Sequence, residues 1–133
     1  MSNRVERALL AAILGLFLVL AIVYSLVVPV FEAHDELFHY PLVRHIAQTW
    51  SLPVQDPTGV GPWEQEGGQP PLYYVLAAAA TFWIDTSDME TVRQLNPYVA
   101  AGVATPDQSN LNWVVHNPSA ERVPWRGAVL AGL

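Results

Sequence analysis

Hydrophobic positions run without a charged residue from Ala8 to Val30, "ALLAAILGLFLVLAIVYSLVVPV". As a helix rising 1.5 Å per residue the block extends about 34 Å, against a bilayer hydrocarbon core of about 30 Å. The pattern predicts a transmembrane helix over 8–30, preceded by a short N-terminus, 1–7. A cleaved signal peptide is the rival reading, but its apolar region is normally about 7–15 residues and ends at a small-x-small site. This block is longer and passes through Val28, Pro29, Val30 and Phe31 without such a site.

Beyond it the pattern changes period. In "EAHDELFHYPLVRHIAQTW" the apolar residues Phe38, Leu42 and Ile46 recur every four positions, the stripe of a short amphipathic helix near 31–50. Pro41 is expected to sit in or kink its first turns. Residues 51–69 carry Pro53, Pro57, Pro62, Gly59, Gly61, Gly67 and Gly68, which reads as a loop. "PPLYYVLAAAATFWI", 70–84, opens on paired prolines and stays apolar, predicting a helix of about 22 Å, short for a span. It is expected as a buried or juxtamembrane helix rather than a short second span, with Tyr73, Tyr74, Phe82 and Trp83 suited to an interfacial level. Residues 85–126 are polar and weakly periodic, and "GAVLAGL", 127–133, turns apolar like the start of a further membrane helix. The expected fold class is therefore mainly α and integral to a membrane, with one N-terminal span, a loop over 31–126 bearing short helices, and the beginning of a second span.

Charge orients this arrangement. Arg4 and Arg7 precede the apolar block, whereas eleven Asp or Glu and only four Arg, with no Lys, follow it. The positive-inside rule then predicts a cytoplasmic N-terminus and an extracytoplasmic acidic loop in the plasma or inner membrane. An acidic chain without a Lys/Arg cluster excludes nucleic acid as a partner. The absence of cysteine excludes disulfides and thiolate metal sites.

Candidate chemistry concentrates in "FEAHDELFHY", Phe31 to Tyr40. Glu32, Asp35, Glu36 and His39 stand at i, i+3, i+4 and i+7, so a helix beginning near Phe31 would gather them on one face. The bland alternative is a solvated polar collar beyond a membrane helix. Glu32, Asp35 and His39 have spacings compatible with a shared divalent cation, Mg or Mn for the carboxylates and Zn if imidazole joins.

The order of elements resembles the N-terminal part of a GT-C type membrane glycosyltransferase, the group of the protein O-mannosyltransferases and the lipid A aminoarabinose transferase. The resemblance rests on the Asp35-Glu36 pair opening the first loop in "HDELFHY", on His39 and Tyr40, on Leu52-Pro53, on "QPPLYY" from Gln69 to Tyr74, and on "PWRG" before the last apolar segment. Two departures are Gly68, where relatives often carry His, and His34, where Pro is common. The resemblance implies transfer of a sugar from a polyprenyl-phosphate donor to a protein, lipid or glycan acceptor outside the cytoplasm. It makes Asp35 the expected general base, with Glu36 orienting it, binding the acceptor or holding a cation, and Glu32, His39, Gln69 and Tyr73 as expected substrate-binding residues. This portion by itself is expected to be inactive. The alternative is a single-pass anchored protein whose acidic extracytoplasmic domain binds a partner.

Overall fold

The structure, a computed structural model, describes residues 3–33, 35–54, 56–57, 59–99 and 112–133. It is mainly helical and has no strand among the described residues, only isolated bridges pairing Asp56 with Gly59 and Leu95 with Val114. The helices are α1 (Asn3–Val27), α2 (Glu36–Thr49), α3 (Leu72–Thr81), α4 (Met89–Val92) and α5 (Gly127–Gly132), with a 3-10 helix, Glu64–Gly68, between α2 and α3.

None of the residues of α1 is buried, although it is apolar all round. Its 25 residues extend about 37 Å, so length and composition are compatible with a membrane span. A signal sequence meets the same two criteria. Pro29 closes the helix. The last amide bond before it runs from Val28 N to Tyr24 O at 2.9 Å.

Residues 28–33 and Asp35 lie in turn and bend in place of the predicted early helix. Phe31 and Asp35 take left-handed conformations, φ 69° and 60°, and α2 therefore starts at Glu36. From there α2 packs in two directions. Leu37 and Tyr40 join Val30, Phe31, Met89, Val92, Val114, Ala128 and Val129 in one core. Leu42 and Ile46 meet Tyr74 and Ala78 of α3 in another. The predicted stripe is thus divided: its Leu42 and Ile46 bury against α3, while Phe38 is half-buried on the first core.

Pro41 lies inside α2, so no amide at that position can reach the carbonyl of Leu37 four residues back. Arg93 supplies the missing donor from 56 residues away, its Nε lying 3.1 Å from Leu37 O. Burial holds the Arg93 guanidinium below its ordinary pKa, opposed by Glu90 and Glu64.

The predicted helix over 70–84 is observed as Leu72–Thr81, followed by a turn. Of its apolar side chains, only Tyr74 and Ala78 are buried. The segment read as irregular from 85 to 126 contains α4 and the Leu95–Val114 bridge, and its residues 100–111 lie outside those described. His34 does too. Within α5, Ala128 and Val129 enter the first core instead of facing outward. The Asp88 carboxylate accepts from Ala128 N at 2.8 Å and so caps the start of α5. Gly127, at φ 55°, permits this: a Cβ there would collide with the same carboxylate.

If Arg93 stands in for the amide that Pro41 lacks, Arg93→Ala orphans a half-buried carbonyl and costs about 1–3 kcal/mol. In a Pro41→Ala background, where residue 41 again carries an N–H, the same substitution is expected to cost clearly less. Urea denaturation of the four proteins of this double-mutant cycle, followed by circular dichroism in micelles, reads the difference.

Candidate functional site

Three segments converge on one cleft of about 260 Å³, lined by Asp35, His39, Glu66, Gln69, Pro70, Tyr73 and Tyr74. Asp35 stands at the N-cap of α2, and its carbonyl accepts from Phe38 N and His39 N, both at 2.9 Å. His39 follows one turn later. Glu66 is delivered by the 3-10 helix, whose bonds Glu66 N to Trp63 O (2.9 Å) and Gln69 N to Glu66 O (3.0 Å) close the loop. Trp63 fixes that loop to α2 by packing on His45, ring centroids 4.8 Å apart. Tyr73 and Tyr74 come from the first turn of α3.

The cleft is wired by hydrogen bonds. Tyr74 donates its hydroxyl hydrogen to Glu66 Oε2 at 3.1 Å, and His39 Nδ1 lies 2.8 Å from the same hydroxyl and 3.3 Å from Glu66 Oε2. A phenol has a single hydrogen. Once Tyr74 gives it to Glu66, the bond from His39 requires that Nδ1 carry a proton, so Nε2 is the nitrogen left to exchange one. Burial, and next the bond to Glu66, push the Tyr74 phenol up to about 12, which keeps it protonated as the donor of this chain. Glu66 is only 3% exposed although it is a carboxylate on a loop.

The four residues predicted to share a face do not. Because α2 begins only at Glu36, Glu32 falls in the preceding turn and points elsewhere. Its carboxylate accepts from Trp113 N (3.0 Å) and Val114 N (3.2 Å) and meets His116 Nε2 at 3.0 Å. His116 Nδ1 in turn meets Glu121 at 2.9 Å. Among the three residues considered for a cation, Asp35 and His39 are brought together, and Glu66 stands where Glu32 was expected. One potential ligand atom from each of Asp35, His39 and Glu66 lies within 4.8 Å of the others.

Glu36 also turns away from Asp35. Its Oε2 accepts from Phe31 N at 2.9 Å and Ala33 N at 3.4 Å. It lines a second cavity, about 250 Å³, with Tyr24, Ser25 and Val28 at the end of α1 and with Leu133. His39 and Tyr73 border both cavities. Burial holds Glu36 above the ordinary carboxylate pKa; the two amide bonds oppose this and Glu32 adds to it.

Gln69 and Tyr73 line the first cleft as neighbours of the cluster. Sequence reasoning missed Glu66 and took Tyr74 for a membrane-surface anchor. For Tyr74 a signal existed: with Ala78 it forms the i, i+4 pair on the one face of α3 that packs on α2. For Glu66 no local pattern distinguishes it from Glu64. Comparison of the chain with protein-family models, with curated proteins and with solved structures found no match in any of the three.

The direction of the Glu36 shift sets a pH dependence. Below its ordinary value, 4.5, folded and unfolded chains both hold the proton; above it the unfolded chain releases the proton first. Stability should therefore fall as pH rises from 4.5 to the raised folded value, then level off. Glu36→Gln should lack this component, which thermal denaturation of wild type and variant between pH 4 and about 8 would measure.

Proposed function

We propose that the chain is the N-terminal part of an integral-membrane glycosyltransferase that moves a sugar from a polyprenyl-phosphate donor to an extracytoplasmic acceptor. The observation that carries this reading is the meeting of the two segments on which the resemblance rests. "HDELFHY" and "QPPLYY" are 34 residues apart between Asp35 and Gln69, yet both line one cleft, and His39 and Tyr74 are hydrogen-bonded at 2.8 Å.

In the proposed reaction the acceptor hydroxyl attacks the anomeric carbon, the bond from that carbon to the phosphate oxygen breaks, and the lipid phosphate leaves with the electron pair. Asp35 takes the acceptor proton. The Glu66–Tyr74–His39 chain holds the imidazole with Nε2 available for a hydrogen bond to the acceptor or sugar. Gln69 and Tyr73 contact the sugar from the opposite wall. A lipid-linked donor needs this cleft near the bilayer boundary, and the contact of Tyr73 with the cavity at Tyr24 and Ser25, in the last turns of α1, supports that level.

Topology follows from the same proposal. The N-terminus with Arg4 and Arg7 is cytoplasmic, α1 spans the plasma or inner membrane, and the cleft is outside. On this reading α3 lies along the membrane surface. Leu72, Tyr73, Leu76, Phe82 and Trp83 leave 56–70% of their surface exposed, and no charge falls between Leu72 and Trp83.

Asp35→Asn in the full-length protein is expected to lower sugar transfer by about 10²–10⁴-fold while membrane insertion stays intact. Near-normal turnover would remove Asp35 from the mechanism. A topology reporter fused after Trp50 is expected outside the cytoplasm, and a cytoplasmic signal would overturn the proposed orientation.

A further inference from the structure

We propose that a third cavity, between α2, the turn after α3 and the end of α5, binds a neutral, hydroxyl-rich ligand such as a single sugar ring. It measures about 120 Å³ and shares no lining residue with the two cavities described above. That volume has room for several waters, or for one ring bearing hydroxyls. Tyr40, Arg44 and Gln48 line it from α2, each four residues from the next along one ridge of the helix. Phe82, Asp85 and Thr86 line it from the turn after α3, and Ala131 from α5.

The observation that points to a ligand is Tyr40. It is the one buried residue among those lining the cavity, 6% exposed, and its hydroxyl has no hydrogen-bond partner among the described residues. Burial pushes the phenol pKa up, with Arg44 opposing, so the hydroxyl keeps its hydrogen. A buried donor without an acceptor is costly, and native structures rarely keep one. Arg44, one turn further along α2, has donors to spare as well. Its Nε donates to Thr86 Oγ1 at 3.2 Å and its Nη1 stands 4.0 Å from the exposed Glu90, which leaves part of the five-donor fork unused among the described residues. Two donor groups on one helix ridge thus lack acceptors beside the same cavity.

Asp85 decides the class of ligand. An anion would satisfy the donors but meet the Asp85 carboxylate on the cavity wall, with Glu90 already beside Arg44, so two negative charges oppose one positive. A hydroxyl accepts from Tyr40 or Arg44 and donates to Asp85, and a ring with adjacent hydroxyls does both at once. Gln48 offers a donor and an acceptor through its amide. The apolar face of such a ring lies against Phe82, whose own ring is held by Trp50 with centroids 5.7 Å apart. The site rests on no part of the transfer reading: it shares no residue with the Asp35–Glu66 cleft, so either can fail alone.

The test is a titration of the full chain, in micelles of a detergent without a sugar headgroup, followed by the NMR resonances of the Gln48 side-chain amide and the Phe82 ring. Methyl mannoside, methyl glucoside and inositol are the neutral probes, and inorganic phosphate and acetate the anionic ones. At least one neutral probe should shift both residues saturably, and the anions should bind more weakly. Tyr40→Phe keeps the ring and removes the hydroxyl. It should weaken that probe by about 3–10-fold while the thermal stability of the ligand-free chain is unchanged or higher, because an orphaned donor has gone. Asp85→Asn should weaken the neutral probe and strengthen acetate. No saturable shift with any neutral probe, which means a water-filled cavity only, would overturn the site. So would tighter binding of phosphate or acetate than of every neutral probe, or a Tyr40→Phe chain that binds as wild type or is less stable without ligand.

Discussion

The structure turns on one hydrogen bond, from the amide of Phe31 to the carboxylate of Glu36 at 2.9 Å. It closes the turn between α1 and α2 and holds Phe31 in a left-handed conformation that a bulky side chain avoids at a cost of about 1–2 kcal/mol. The return is packing. In that conformation the Phe31 ring is fully buried and meets Tyr40 edge to face, centroids 5.2 Å apart, in the core that also receives α4 and α5. The same turn leaves Asp35 left-handed at the head of α2, an arrangement that Asp tolerates better than most residues. The position of the first cleft therefore follows from how Glu36 ties the chain back on itself.

That constraint also separates three carboxylates that sit close in sequence. Glu32 is held by the backbone of Trp113 and Val114 and by His116, Glu36 by its own turn, and Asp35 opens toward His39 and Glu66. A solvated collar would leave them extended into water. Instead the side chain of Glu32 is only 14% exposed, and Glu36 is buried enough for its carboxyl pKa to rise. Acidic groups at this junction act largely as acceptors for amides that the irregular backbone leaves without partners, which is the requirement any buried turn must meet.

The three longest helices were legible in the sequence because they depend on periodicity and on breakers: the uncharged run of α1, the four-residue stripe of α2, and the proline-led apolar run of α3; α4, a single turn inside a segment read as irregular, was not. The start of α2 was not legible. It depends on left-handed backbone at Phe31 and Asp35, and neither residue type announces that geometry in the way glycine does. Pro41 was half legible: it implies an orphaned Leu37 carbonyl, but the arginine that satisfies it is 56 residues away and known only from the fold. Glu66 was illegible for the same reason. Its burial comes from α2 and α3 closing over a Pro/Gly loop, and nothing in "EQEGG" separates it from its exposed neighbours.

The two cavities share a wall, and that bears on what the cleft can do. His39 and Tyr73 border both the Asp35–Glu66 cleft and the cavity at the last turns of α1. His39 is fixed through Nδ1 by the Tyr74–Glu66 chain, whereas Tyr73 is 63% exposed and held by aromatic edges to His39 and Tyr74. The partition thus has one rigid member and one that can swing with little loss of packing. On the proposed topology the α1 cavity lies at headgroup level and the acidic cleft just beyond it. Because the reacting carbon is joined to the donor phosphate through one oxygen, the proposed reaction needs both in the same space, beside the shared wall of His39 and Tyr73.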